Sequence, residues 1–342
     1  MYPPLSSKMT GGSELLLRHI AKAMVEAGHR VDCIATEPKE QILEGSYWWT
    51  TRKHPVVCDV YICFETLEFL PGFEYKRAYA SLNRIDPTLA GYADKVEYFV
   101  TFGETHKRYL LDLNKEIPPE RVKIIGPGVD IPPWQPKKRN QVLYCNAPGR
   151  GLVHFARMWD KVVQKVPDAT LALTYNLERD IRNHRWKQNT QSLEVVEMMQ
   201  WIRSNPKGVV NHGELSRPEA LRVQAESELY AYPCDPPGVG TCVHCFAAME
   251  AAAAGNALLL AATEGLPEIY KDVATFLSYP IREAEWPDAI EEILGKRSEL
   301  ERDQHRNRKW ARKHPWSLNH RLWQELVTAV RPAVKEKEAV AA

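Results

Sequence analysis

Residues 229–268 constrain the fold more than any other part of the chain. An apolar run stops at Pro233, and residues 233–241 then hold three prolines and two glycines, which predicts a strand followed by a loop. Small apolar residues continue from Phe246 to Ala254 and stop at Gly255, a pattern typical of a tightly packed helix with a glycine cap. A second apolar run, residues 257–262, predicts another strand. The order strand, loop, helix, strand indicates a parallel α/β sheet.

The loop at residues 233–241 lies beyond the carboxyl end of the first of these strands, and the helix begins beside it. In parallel α/β sheets ligands bind at this edge, where the free N–H groups of a helix N-terminus favour an anion such as a phosphate. Glu250 is the one carboxylate in the predicted helix of small residues. A solvated surface position is the simpler interpretation, but close packing by alanines makes an unused carboxylate costly, which favours a function.

Composition narrows the class of protein. A length of 342 residues favours two domains, and 44% apolar with 26% charged residues is typical of a globular protein. The net charge of +1 argues against an extended nucleic-acid surface. We expect no membrane span and no leader, because no apolar run has the required length or position. Seven scattered cysteines, an odd number, indicate reduced thiols and a cytoplasmic location.

Strand and helix patterns alternate along both halves of the chain, which predicts a doubly wound parallel sheet in each. Residues 131–139 are rich in proline and lysine without apolar periodicity, and we interpret them as a linker. The predicted domains are residues 1–133 and 134–305, with helices in residues 306–332 packing back toward the first domain. The carboxyl ends of both sheets would face one cleft.

Gly11 and Gly12 precede a predicted helix, where a phosphate or sugar can approach the backbone. Many helices begin after such a pair for local reasons, so the pattern alone indicates little. A loop of this kind normally follows a strand, and almost no chain precedes it here. We therefore expect either that the first strand is missing or that the sheet is built without it. A missing central strand would leave an unpaired ladder in the sheet.

Several polar residues are candidates for chemistry. Arg150 lies between two glycines at a strand-to-helix turn, where a guanidinium can reach a diphosphate, although a surface arginine would look the same. Asp86 precedes a proline, and either caps a turn or contacts a ligand in the cleft. His106 begins a helix and has the same two interpretations. Dinucleotide, Walker A, zinc-protease and serine-hydrolase motifs are absent from the sequence, which argues against those classes.

Cys242 and Cys245 have the spacing of half a zinc site, with Cys234 and His244 nearby. Structural zinc sites usually combine two paired ligand sets, and no second pair of this spacing exists. A redox pair at a helix N-terminus is a further alternative. We interpret these cysteines as buried small apolar residues and predict no metal.

A series of short motifs, in this order and spacing over about 260 residues, resembles the glycosyltransferase group 1 family (family 4), whose members have the GT-B fold. In the first half the motifs are Gly11-Gly12-Ser13-Glu14, Ala27-Gly28-His29-Arg30-Val31, Thr105-His106-Lys107 and Gly128-Val129-Asp130. In the second half they are Asn146 to Leu152, Pro167-Asp168-Ala169, His212 to Leu215, Tyr232-Pro233, Glu250-Ala251, Gly255 and Gly265 to Glu268.

The resemblance implies a retaining transfer of a sugar from a UDP- or GDP-sugar to a glycan or glycolipid acceptor, without a metal or other cofactor. By the same resemblance, Arg150 contacts the donor diphosphate, Glu250 holds the nucleotide ribose, and Gly12 belongs to the facing loop of the first domain. The turn at residues 243–245 presents backbone N–H groups to the donor. The predicted catalytic residues are Arg150 and Glu250, together with Asp86, which is included for its position before a proline. The predicted substrate-binding residues are Gly11, Gly12, His106, Gly151, His212, Gly240, Thr241, Cys242, Val243, His244, Cys245, Gly265 and Leu266.

The chain departs from the family pattern at two positions of this site. Cys242 stands where the family has its first glutamate, eight positions before Glu250, and that carboxylate usually orients the donor sugar. The lysine that often follows the arginine is absent, and Arg157 is the nearest replacement.

These departures leave several functions open. One alternative is a non-catalytic family member that binds a nucleotide, and another is a transferase acting on a modified base in DNA, which the balanced charge does not support. A nucleotide-sugar 2-epimerase ranks last. We expect a cytoplasmic protein in peripheral contact with a membrane, and the sequence does not indicate its oligomeric state.

Overall fold

The computed structural model describes residues 11–34, 41–49, 57–64, 67, 70–82, 87–175, 191–236 and 238–329. Helix α1 (Gly12–Glu26) comes first and buries one face, which carries Leu15, Leu16, Ile20, Ala21, Ala23 and Met24. Of the apolar residues that recur at helical spacing in the sequence, Leu16, Ile20, Ala23 and Met24 are on this face, whereas Ala27 is exposed at the C-cap. The helix ends before Gly28, whose φ is +86°.

Strands of the first half form two sheets within the described residues. Strands β1 (Asp32–Ile34), β2 (Gln41–Leu43) and β3 (Ser46–Trp49) form a three-stranded sheet in the order β1-β3-β2. Strand β3 is parallel to β1 and antiparallel to β2, so β2 and β3 make a hairpin, which the sequence patterns did not predict. Its turn lies at Glu44 and Gly45, both with positive φ.

The second sheet of the first half is parallel throughout. It contains β4 (Val57–Phe64), β5 (Glu74–Ser81), β6 (Tyr98–Thr101) and β7 (Val122–Ile124), in the order β4-β5-β6-β7. In the described part of the chain β4 is therefore an edge strand, and it does not join the sheet that contains β1. Helix α2 (Glu104–Leu113) follows β6 directly.

The second half contains a six-stranded parallel sheet in the order β10-β9-β8-β11-β12-β13. Its strands are β8 (Gln141–Tyr144), β9 (Thr170–Leu173), β10 (Val209–Asn211), β11 (Leu229–Tyr232), β12 (Ala257–Ala261) and β13 (Ala274–Leu277). The chain winds outward from β8 to β10 and then returns to β11, so the order reverses between β8 and β11. At such a reversal the loops that follow the two neighbouring strands diverge and leave a crevice for a ligand.

Helices of the second half form two packed groups, as a doubly wound sheet requires. They are α3 (Leu152–Lys165), α4 (Gln191–Arg203), α5 (Arg217–Glu226), α6 (Phe246–Ala254), α7 (Leu266–Tyr270), α8 (Glu285–Gly295) and α9 (Arg297–Ala311). Helix α3 packs against α4 and α8, whereas α6 packs against α5 and α9. A capping pair stands at the start of α5, with the Glu219 carboxylate accepting from the N–H of Ser216 at 2.8 Å.

Helix α10 (Trp316–Thr328) packs against α1, so the last described helix lies on the first half of the chain. The ring of Trp316 stacks on His19 with 3.6 Å between ring centroids, and Gln324 donates to the carbonyl of Ala23 at 2.7 Å. Helix α9 instead stays with the second half, where Asn307 donates to the carbonyl of Asn256 at 2.8 Å. No helix in the described ranges combines the length and apolar character needed to cross a membrane.

Residues 131–139, which we interpreted as a linker, are held on the second half. The ammonium group of Lys137 donates to the carbonyls of Ala225 at 2.8 Å and Ala254 at 3.0 Å, and to the side chain of Asn256 at 3.0 Å. Two of these carbonyls lie at helix C-terminal ends, which favours a cation, whereas burial lowers the pKa of Lys137 to about 7. This segment therefore connects the halves without being loose.

Candidate functional site

The turn after β8 carries Arg150 to the carboxyl edge of the six-stranded sheet. Tyr144 at the end of β8 donates from its hydroxyl to the carbonyl of Ala147 at 2.9 Å, which holds the start of the turn. Gly151 has a φ of +114°, and a Cβ placed there would lie 1.8 Å from the carbonyl oxygen of Pro233. Only glycine fits here. The absence of a side chain at Gly151, a predicted substrate-binding residue, lets the two loops contact each other.

Arg150 is half-buried between the loops that follow β8 and β11. Its guanidinium donates to the carbonyl of Thr241 at 2.6 Å, and its own carbonyl accepts from the N–H of Asp235 at 3.4 Å. A guanidinium keeps its positive charge at every physiological pH and presents several donors in one plane. The structure therefore places a charged, oriented donor at the crevice between β8 and β11.

The predicted residues Gly240, Thr241 and Cys242 form a turn that a carboxylate holds from one side. Glu264 accepts from the N–H of Gly240 at 2.7 Å and from the N–H of Cys242 at 2.5 Å. Burial raises the pKa of Glu264, while the hydrogen bonds from the N–H groups of Cys242 and Gly240 act in the opposite direction. Glu264 is not among the residues predicted from the sequence.

Gly265 and Leu266 support the next turn of the chain. A Cβ at Gly265 would lie 2.2 Å from the carbonyl oxygen of Val243, so glycine is required for the turn before α7 to contact this segment. Leu266 is fully buried in the core of the second half, and its N–H donates to the carbonyl of Thr263 at 3.1 Å. Both predicted residues therefore adjoin the site as packing elements.

The thiols of Cys242 and Cys245 point into the interior. The sulfur of Cys242 lies 3.1 Å from that of Cys234, and the sulfur of Cys245 lies 3.4 Å from the hydroxyl of Tyr230. All seven cysteines are free thiols. Among the described residues, no three His, Cys, Asp or Glu side chains are grouped to hold a metal ion. The position that the family fills with a glutamate thus faces the core in this chain.

Glu250 is on the first turns of α6 and forms an ion pair with Arg217 at the start of α5. The Glu250 side chain is 18% exposed, so this ion pair is mostly buried and keeps some contact with solvent. Burial lowers the pKa of His19 on α1 to about 3, and Arg217 contributes to this shift after His320, Lys22 and Arg18. Arg217 was not predicted from the sequence, because its neighbours in the chain do not distinguish it from a surface arginine.

The start of α1 faces the start of α6 across the two halves. A Cβ at Gly12 would lie 2.6 Å from the ring of Phe246, so the predicted residue Gly12 allows this approach. Gly11 is exposed and begins α1, and its carbonyl accepts from the N–H of Leu15 at 3.0 Å. The structure therefore brings the predicted glycine turn of the first half next to the predicted anion-binding helix of the second.

His106 and His244 flank one aromatic ring at this junction. The ring centroid of Phe102 is 5.4 Å from that of His106 and 5.8 Å from that of His244. The Nδ1 atom of His106 accepts from the N–H of Phe102 at 3.2 Å, which leaves Nε2 as the protonated nitrogen, buried and unpaired within the described residues. Burial lowers the pKa of His106 to about 4, with Glu268 opposing the shift, so the ring is neutral at pH 7.

Glu268 joins the two halves directly. Its carboxylate accepts from the N–H of Glu104 at 2.7 Å and from the N–H of Thr105 at 2.6 Å, in the first turn of α2. A carboxylate at a helix N-terminus satisfies free N–H groups and complements the helix dipole. The sequence motif contained Glu268, but a partner 163 positions away in the chain gives no local signal.

Of the predicted residues that the structure describes, His212 is apart from this group. His212 follows β10, and burial lowers the pKa of its imidazole, with Lys138, Glu226 and Arg222 as the charges that act on it. Asp86 lies outside the described residues, so its predicted catalytic role stays a prediction. Arg157, the suggested replacement for the family lysine, pairs with Glu197 at 2.8 Å on α4.

Comparisons with known proteins identify the fold. No protein-family model matches the chain, and no curated protein matches it. Among solved structures, sucrose-phosphate synthase from Thermosynechococcus elongatus matches with a TM-score of 0.71 at 12% identity, covering 94% of this chain and 95% of that one. A glycosyltransferase from Rickettsia africae matches with a TM-score of 0.68 at 13% identity, covering 96% of this chain and 98% of that one.

The Anabaena protein HepE, solved in complex with UDP and glucose, also matches with a TM-score of 0.68 at 13% identity, again covering 96% of this chain and 98% of that one. These matches extend over both halves of the chain. The sheets are parallel, as the sequence predicted, apart from the antiparallel β2–β3 hairpin. The chain therefore has the GT-B fold, which confirms the fold class predicted from the resemblance.

Proposed function

We propose that this protein is a glycosyltransferase that moves a sugar from a nucleotide diphosphate sugar, UDP- or GDP-linked, to a glycan or glycolipid acceptor. The observation that carries the proposal is the position of Arg150. Its guanidinium is held by the carbonyl of Thr241 at the crevice where the strand order of the second sheet reverses. In α/β sheets this crevice is where nucleotides bind. The similarity to HepE, which was solved with UDP and glucose, supports the same ligand class.

The chemistry follows from the charges at this edge. In the transfer, the bond between the anomeric carbon and the diphosphate oxygen breaks, and the nucleoside diphosphate leaves with the electron pair. We propose that Arg150 and the N-terminal end of α6 stabilise the negative charge that develops on it. The acceptor hydroxyl forms the new bond to the anomeric carbon and loses its proton. Retention of the anomeric configuration and independence of metal ions are parts of the proposal that rest on the family resemblance.

Glu250 is proposed to hold the ribose hydroxyl groups. Its ion pair with Arg217 holds the carboxylate, and the Glu250 side chain is 18% exposed, which leaves part of it accessible to a ligand. A carboxylate accepts hydrogen bonds from two neighbouring hydroxyl groups more strongly than a neutral acceptor does. Arg217 therefore acts as the partner that keeps Glu250 oriented.

Turnover of a small donor panel tests the proposal. UDP-, GDP- and ADP-sugars are incubated with the protein, and release of the free sugar or nucleoside diphosphate is measured. We expect release from a UDP- or GDP-sugar, lowered by at least about 100-fold in Arg150→Ala, the usual effect of removing one donor to a developing charge. In Glu250→Ala we expect KM for the donor to rise by about tenfold or more, because a hydrogen bond to a charged group is lost.

Arg302→Ala is the matched control, because Arg302 is an exposed arginine on α9 whose partner Glu299 lies 3.9 Å away. It should keep the activity of the parent protein. Equal turnover in the parent and in both site variants would show that the site is assigned wrongly. A protein that binds nucleoside diphosphates but turns over none of the donors would favour the non-catalytic alternative, which the replacement of the family glutamate by Cys242 motivates.

A further inference from the structure

Glu264 has a backbone conformation that a glutamate rarely adopts. Its φ of +46° lies in the left-handed region, where every residue with a Cβ is strained and glycine is not. The side chain explains why a glutamate is nevertheless present. Its carboxylate accepts from the N–H of Gly240 at 2.7 Å and from the N–H of Cys242 at 2.5 Å. Hydrogen bonds to an ionised carboxylate are about twice as strong as neutral ones, so they offset the strain.

The carbonyl of Thr241, the residue between these two N–H groups, faces away from Glu264. Thr241 directs its carbonyl to the guanidinium of Arg150 at 2.6 Å, while its hydroxyl donates to the carbonyl of Gly238 at 2.8 Å. The turn at residues 240–242 is therefore held between a carboxylate on one side and a guanidinium on the other. A displacement of this turn moves the only acceptor that the structure gives to Arg150 within the described residues.

The negative charge of Glu264 must be satisfied by the turn, because it lies near the proposed diphosphate site. A free carboxylate near Arg150 would repel a diphosphate and compete with it for the guanidinium. Here both carboxylate oxygens accept from backbone N–H groups of the turn, so these donors satisfy the carboxylate. The thiol of Cys242 cannot hold the turn in place of the Glu264 carboxylate, because it points to the sulfur of Cys234 at 3.1 Å.

We propose that Glu264 is a positioning residue for the donor diphosphate: it holds the Gly240–Cys242 turn so that Thr241 orients Arg150. This inference rests on the proposed function. It places the effect of Glu264 on the diphosphate part of the ligand and not on the nucleoside part. It also implies that the effect is transmitted through Arg150, which makes it separable from a general loss of stability.

Calorimetric titration tests the inference with four probes, UDP and GDP and their nucleosides uridine and guanosine. In Glu264→Gly the dissociation constant for the diphosphate that the parent binds should rise about tenfold, whereas the constant for the matching nucleoside should not change. Glu264→Gln keeps the side chain and one acceptor oxygen, and should show a smaller rise. Glu44→Gly is the control, because Glu44 is also a glutamate in the left-handed region, with a φ of +50°, at the β2–β3 turn.

A double-mutant cycle supplies the decisive comparison. If Glu264 acts through Arg150, Glu264→Gly should leave diphosphate binding unchanged in an Arg150→Ala background. A tenfold loss that persists in that background would overturn the inference, and so would unchanged or tighter diphosphate binding in Glu264→Gly. Equal weakening of nucleoside and diphosphate would also overturn it, because the role would then be structural. A parent protein that binds neither UDP nor GDP would overturn the proposed function together with this inference.

Discussion

At the scale of single residues, Gly151 shows how the site depends on the absence of a side chain. Its φ is +114°, and the carbonyl oxygen of Pro233 occupies the place of a Cβ at 1.8 Å. We expect Gly151→Ala to lower the free energy of unfolding by more than about 4 kcal/mol, because backbone strain and a backbone clash add. Gly213→Ala is the matched control, with a φ of +65° and no atom within 4 Å of the added Cβ, and should cost about 1 kcal/mol.

Denaturant unfolding of both variants gives the comparison. A Gly151→Ala protein as stable as Gly213→Ala would contradict the close approach of the two loops. The requirement for glycine at position 151 was predictable as a turn before a helix. The contact with Pro233 was not, because it depends on β8 and β11 being neighbours in the sheet.

His106 gives the protein a pH-dependent stability. The pKa of its imidazole falls from an ordinary value of about 6.5 to about 4 because the ring is buried. Between these two values the unfolded chain binds a proton that the folded chain does not, so the free energy of unfolding falls as the pH is lowered from 6.5 to 4. This residue alone should contribute a slope of up to about 1.4 kcal/mol per pH unit.

Denaturant unfolding of the parent and of His106→Gln at several pH values measures this slope. The variant lacks the titrating group and should depend less on pH in this range, while its amide oxygen can still accept from the N–H of Phe102. His29→Gln, at an exposed position, controls for the loss of a histidine. Identical pH profiles for the parent and His106→Gln would contradict the buried, neutral ring.

The sequence predicted residues whose signal is local and missed those whose partners are distant. Arg150 was identifiable because it lies between two glycines at the end of an apolar run, and Glu250 because it is the only acid in a helix of small residues. Glu264 and Arg217 were not identified, since each depends on a partner more than 20 positions away in the chain. Charged residues in loops are common, and only the fold shows which of them reach the crevice.

At the scale of elements, Glu268 links helix α2 of the first half to the segment that begins α7 in the second. We expect Glu268→Gln to weaken this link, because the amide keeps one acceptor oxygen and loses the charge that favours the helix N-terminus. The free energy of unfolding should fall by about 1 kcal/mol, as for other lost helix caps. Small-angle scattering should also show a larger radius of gyration, as the halves separate more often.

Glu219→Gln is the matched control for this variant. Glu219 caps helix α5 through the N–H and hydroxyl groups of Ser216, entirely within the second half. Its loss should lower stability by a similar amount without changing the radius of gyration. An unchanged radius in both variants would contradict a linking role for Glu268.

Elements with strong periodicity were predictable, and those without it were not. The apolar runs in β11 and β12 and the run of small residues in α6 predicted these elements with ends close to the observed ones. The β2–β3 hairpin escaped prediction because its strands have three and four residues, too few for an alternation to be recognised. Its turn, Glu44-Gly45, resembles many loop sequences.

At the scale of the whole molecule, the halves meet through small and aromatic residues near the site. Gly12 at the start of α1 admits the ring of Phe246, and Phe102 of the first half contacts the ring of His244 of the second. Helix α10 returns to α1, where Trp316 stacks on His19. The alternation of strand and helix patterns predicted two domains facing a cleft, but the residues at their junction follow only from the packed structure.

Hydrogen–deuterium exchange with and without a nucleoside diphosphate tests the central claim, that the crevice between β8 and β11 binds the donor. If the donor binds there, addition of UDP or GDP should slow exchange in residues 146–154 and 240–250, which contain Arg150 and Glu250. The same experiment on Arg150→Ala should show little change. Slower exchange confined to the sheet of β4 to β7, or none with either nucleotide, would contradict the claim.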